Sequence, residues 1–204
     1  MMVSLGICQA GSVLPPPFEL IPVNDVVLVT YPVSLAKTAR CRLALQSQCA
    51  RELTSFLPLA PRQNMPAGNM VAWLDAHQEI VRAQLRDVEG LCQFVLTVNA
   101  DAKGTSETHL LRARFDAHQQ MHKIAKSLLC PPILDVSAQR KKNALFFATL
   151  VSKSNADLLP GAVATALKQH ACTLEKSSLT GPWPVSHFCS NINVLGAQAH
   201  ALAS

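Results

Sequence analysis

Apolar residues recur along this chain in two rhythms: short runs rich in β-branched and aromatic residues, and longer stretches repeating every three or four positions. Residues 3–8 form a first run of the short kind. Phe18-Glu-Leu-Ile21 and Val26-Val-Leu-Val-Thr-Tyr31, separated by Pro22 and Asn24-Asp25, predict two strands joined by a tight turn. The Pro15-Pro16-Pro17 tract ahead of them predicts a linker. Ser34 is placed to cap a helix running to about residue 54. The clearest helical rhythm lies over 69–89, where Met70, Trp73, Leu74, His77, Ile80, Val81, Leu85 and Val88 share one face and Gly90 stops the run. Residues 91–99 read as a strand. Phe94, Leu96 and Val98 alternate with Gln93, Val95 and Thr97, and both sets are apolar enough for a central position.

The second half repeats these signals. A helix over 106–129 is predicted, with Leu111, Phe115, His118, His122, Ala125 and Leu129 on one side and Pro131-Pro132 at its end. After a polar segment comes a strand over 143–152, then a helix in the later part of 155–170 with Pro160 in its first turn. A strand over 172–179 leads to Gly181-Pro-Trp-Pro184 and a last short strand over 185–188. This order predicts an α+β protein with helices layered on mostly antiparallel sheets. A break near 100–105 predicts two domains, 1–100 and 101–204, the second carrying the long helix and the Gly-Pro-Trp-Pro segment.

Composition narrows the function classes. Of 204 residues, 49% are apolar and 15% charged, enough for a sizeable core with apolar surface to spare for a partner. Net charge is +5, but the tightest basic run is Arg140-Lys141-Lys142, too short for a nucleic-acid footprint. No stretch of 18 apolar residues predicts a membrane span, and the apolar start has no basic residues ahead of it to make a secretory signal. Seven cysteines without a CxxC pair predict reduced thiols in a cytoplasm.

Thr180-Gly181-Pro182-Trp183-Pro184 is the most distinctive stretch. Gly181 can adopt a positive φ, both prolines fix theirs, and Trp183 is expected in an extended kink between rigid neighbours. The pentapeptide resembles the Gly-Pro-Trp-Pro signature near the end of the gas-vesicle F/L family (GvpF/GvpL). The order around it is also similar: an apolar strand over 145–151, a helix over 159–169, a strand over 172–179, the signature, then His187-Phe188. Gly90, between a long helix and a strand, and Leu57-Pro58 match features of the family's first half. The resemblance implies two domains related to the ferredoxin-like fold. It also implies an accessory protein of gas-vesicle formation, working with the small hydrophobic shell protein and other accessory proteins.

Candidate chemistry is sparse. His118 and His122 have ligand spacing on a helix, but no Glu follows in the HExxH manner. His170-x-Cys172 and His187-x-Cys189 would bring four ligands together if their strands were adjacent, yet neither has a usual zinc spacing. No metal and no cofactor is therefore expected. Asp75 and Glu79 lie near Arg82 and Arg86 at helical spacing and predict a solvated salt-bridge face. No nucleotide-binding or nucleophile-elbow motif occurs.

The expectation is a non-enzymatic assembly protein, cytoplasmic and associated with gas vesicles, that binds the shell protein and other accessory proteins. Trp183, Val185, Phe188, Phe115 and Leu111 are its candidate contact residues. The competing expectation is a small-molecule-binding or catalytic ferredoxin-like domain unrelated to gas vesicles, since such sheets host many functions.

Overall fold

A computed structural model describes residues 2–35, 38–59, 66–99, 107–141, 144–170 and 177–188, with 99, 107–117 and 141 described by their backbone. By its internal contacts the chain divides into two units, Met1–Cys92 with Pro182–Ser204, and Gln93–Gly181. Each is built on a four-stranded sheet.

In the first unit β1 (Met2–Gln9), β2 (Glu19–Val23), β3 (Val26–Pro32) and β4 (Phe56–Pro58) lie in the order β2-β3-β1-β4. The predicted hairpin is present: Val23 faces Val26 across a two-residue turn, with Asn24 at φ 51°. Asparagine tolerates that left-handed backbone better than most residues. β1 runs antiparallel to both β3 and β4, with a bulge between Ser4 and Gly6. Gly6 is required by closeness. A Cβ there would overlap the Phe56 ring and lie 2.6 Å from the Leu57 carbonyl oxygen.

α1 (Ala39–Glu52) starts later than predicted. Its cap is Thr38, whose Oγ1 accepts from the Cys41 N–H at 3.2 Å, while Ser34 sits in a 3-10 turn, Val33–Leu35. Cys49, Ala50 and Leu53 pack with Val3, Leu5, Cys8, Val27, Val29 and Tyr31 of the sheet, and Leu14 and Phe18 of the proline-rich link complete that cluster. Gln46, buried on the same helix, donates to the carbonyls of Leu5 (3.0 Å) and Leu59 (2.6 Å), which satisfies its amide beside the bulge.

The helix predicted over 69–89 is two helices, α2 (Ala67–Ala76) and α3 (Gln78–Asp87), broken at His77. No proline or glycine causes the break. The His77 ring stacks on Trp73 at 4.4 Å and its Nδ1 lies 2.8 Å from the Trp73 carbonyl oxygen, where an intact helix would place the His77 backbone N–H. That N–H bonds to Leu74 instead. Met70, Trp73, Leu74, Val81 and Leu85 are buried. Both helices pack on the sheet: α2 against β1, β2 and β3, α3 against β1 and β4.

The second unit holds β5 (Leu91–Asn99), α4 (Glu107–Leu128), β6 (Ile133–Lys141), β7 (Ala144–Ser152), α5 (Leu159–Lys168) and β8 (Ser177–Trp183), with β5 and β8 extending past its boundaries. The strand order is β6-β7-β5-β8. Chain order βαββαβ with the hairpin partner β7 inserted between β5 and β6 is the split βαβ arrangement of ferredoxin-like folds. β5 is central, as its two apolar faces predict. The polar segment before β7 turned out to be an edge strand, β6, antiparallel to β7 and bulged between Ile133 and Asp135. Alternating polar side chains suit an edge.

The predicted stripe of α4 is displaced. Met121, Ile124 and Leu128 face the core, whereas His118, His122 and Leu129 are exposed. Two lines with the same helical spacing competed, and the one carrying Met, Ile and Leu has more apolar area to bury. Leu96, Val98, Leu145, Phe147, Val151, Leu159, Val163 and Leu167 complete this core. Among the described residues no helix is long and apolar enough to cross a membrane.

Candidate apolar contact site

The segment from Thr180 to Phe188 is held at several points. Thr180 Oγ1 donates to the Val95 carbonyl at 3.4 Å. Gly181 has φ +144°, and a Cβ on it would lie 2.6 Å from the Phe94 ring and 2.9 Å from the Gln93 carbonyl oxygen. Only glycine meets both demands. The Pro182 carbonyl accepts from Ser47 Oγ of α1 at 2.7 Å.

Trp183 is the last residue of β8, so the expected kink is a strand end, and the strand predicted over 185–188 is not formed. Pro184 lacks the N–H that would carry the ladder onward. Instead Pro184 is buried and the Ser186 N–H bonds to its carbonyl at 2.7 Å.

The candidate contact residues fare differently. Val185 is only 3% exposed and anchors the segment. Trp183 and Phe188 are half-buried. Leu111 and Phe115 lie on α4 in the stretch described by its backbone, so their side chains fall outside the described residues. The arrangement offers apolar rings on a braced backbone.

The other candidates separate. Cys172 and Cys189 lie outside the described residues, and so do the four-ligand constellations that need them. His170 Nε2 instead lies 2.7 Å from Ser127 Oγ. Among the described residues no group of three or more His, Cys, Asp or Glu is placed to hold a metal.

The salt-bridge face on residues 75–86 is also revised. Arg82 pairs with Asp25 at 2.6 Å, and Asp75 accepts from Asn24 at 2.8 Å. The break at His77 puts Asp75 on a different helix from Glu79, and the polar groups reach the β2–β3 turn instead. Gln9, Asp25, Val26, Arg82, Leu85 and Arg86 line an open cleft of about 310 Å³ there. Burial pushes the Cys8 thiol up to about 11, with a smaller opposing effect from its hydrogen bond with Ser12, and pushes Cys49 up to about 12. Both are protonated, inert core groups. Sequence reasoning missed the Ser47–Pro182 bond. It joins residues 135 apart, and no local pattern marks a serine for such a partner.

The fold and this segment define a class: an α+β protein of two units, each on a four-stranded sheet, with a rigid aromatic-bearing segment near its C-terminal end. No protein-family model matches the sequence. No curated protein matches it by sequence either. Two solved structures share the fold. The crystal structure of the gas vesicle protein GvpF from Microcystis aeruginosa superposes with a TM-score of 0.62 at 9% identity, covering 88% of this chain and 93% of that one. The crystal structure of GvpF from Anabaena sp. PCC7120 gives a TM-score of 0.58 with the same identity and coverage.

Proposed function

We propose that this protein is a non-enzymatic accessory factor of gas-vesicle formation, acting in the cytoplasm by binding the hydrophobic shell protein together with other accessory proteins. The observation that carries the reading is the fold likeness to GvpF over nearly the whole of both chains. The Gly181-Pro-Trp-Pro184 segment adds to it. A shell subunit must be kept from aggregating before it joins a wall, and rings on a braced backbone lose little entropy when they bind apolar surface. Trp183 and Phe188 make the contact and Val185 holds the segment in place, while Leu111 and Phe115 of α4 are separate candidate contact residues.

The test is co-expression with the shell protein followed by pull-down. Trp183→Ala is expected to weaken capture by about 2 kcal/mol while leaving the thermal midpoint nearly unchanged. If the wild-type protein captures no shell protein, and deleting its gene leaves vesicles normal, the reading is wrong. A large fall in midpoint with capture intact would make Trp183 a structural plug.

A further inference from the structure

His118 and His122 stand one turn apart on α4, both exposed, on the side away from the buried Met121, Ile124 and Leu128. Their Nε2 atoms are 3.1 Å apart and the ring planes are nearly perpendicular, at 87°. Two nitrogens at that separation subtend about 95° at an ion about 2.1 Å from each, close to the right angle between neighbouring ligands of an octahedral or tetragonal ion. With both rings as Nδ1–H tautomers, both Nε2 atoms carry a lone pair able to bind an ion.

We propose that His118 and His122 form a two-imidazole chelate for a divalent transition-metal ion of the nickel and copper kind. The helix supplies the preorganisation: both ligands are on one rigid element, so little backbone freedom is lost on binding. Among the described residues no third His, Cys, Asp or Glu joins the pair. Water or donors from another molecule can take the remaining positions, which would leave the ion exchangeable. A protein purified without added metal need not retain it.

The experiment is calorimetric titration of the full chain with Ni²⁺ alone in a non-chelating buffer, repeated on His118→Ala and His122→Ala. The wild type is expected to bind one ion, and each variant to bind it roughly tenfold or more weakly, since one imidazole of the pair is gone. Paramagnetic broadening by Ni²⁺ is expected to centre on amides around 118–122. Variant affinities within twofold of the wild type, broadening centred elsewhere, or no wild-type binding at millimolar Ni²⁺ would each overturn the assignment. The last outcome would leave the pair as two imidazoles in hydrogen-bond contact.

Discussion

The two sheets share one strand order but are covered differently. In the ferredoxin-like order the first and second strands are joined through a helix. The second unit has that helix, α4, between β5 and β6. In the first unit β1 passes to β2 through the short proline-rich link, and Leu14 and Phe18 of that link join α1 in covering one face. The other face is closed by α2 and α3, which follow β4. The consequence shows along the strands. Val26 to Tyr31 of β3 are buried without interruption, whereas Phe146 and Leu150 of β7 are only half-buried beside buried Leu145, Phe147 and Val151. One topology thus accepts either a helix or a few well-placed apolar side chains on a link, provided the sheet face is removed from water.

Truncating equivalent core residues of the two units is expected to have the largest effect. Phe147→Ala in β7 and Phe18→Ala in the link, 0% and 7% exposed, are each expected to lower unfolding free energy by about 3–5 kcal/mol in denaturant titrations. A loss below about 1 kcal/mol for Phe18→Ala would show that the link merely lies on the sheet and does not stand in for a helix.

Next in size, when read at pH 10, is an alkaline effect of roughly 2–3 kcal/mol confined to the first core, which holds both raised thiols. In the unfolded chain a thiol near 9.0 ionises first, while folded Cys8 and Cys49 keep their protons to about 11 and about 12. Their stabilisation is full below pH 9 and falls as pH rises through that window, by about 1.4 kcal/mol per pH unit for each thiol. Stability of the Cys8→Ala/Cys49→Ala double variant should decline less steeply above pH 9 than that of the wild type. Parallel pH profiles would refute the assignment.

Gly181→Ala should cost about 1–3 kcal/mol, through its positive φ and the contacts with Phe94 and Gln93. A thermal midpoint equal to wild type would mean that β8 can shift along β5 at no cost. The smallest expected effect is that of Ser47→Ala, about 1–2 kcal/mol, from leaving the Pro182 carbonyl without its 2.7 Å donor. A variant as stable as wild type, with unchanged amide exchange around residues 183–186, would show that water replaces the hydroxyl.

The sequence alone was enough for the α+β class, the β2–β3 hairpin, the central place of β5, the proline start of α5 and the burial of Trp73. Each of these follows from a pattern within a few residues: two-residue or 3.6-residue periodicity, a turn dipeptide, a proline with no N–H to lose. Tertiary structure alone decided the rest. It chose Met121, Ile124 and Leu128 over the neighbouring line of α4, ended β8 at Trp183, and broke the long helix where His77 folds back on Trp73. It also matched Arg82 to Asp25 and Ser47 to Pro182. Two equally spaced faces of one helix cannot be told apart until the surface they meet exists, and a partner 57 or 135 residues away is selected by the packing of the whole unit, which no local run of residues encodes.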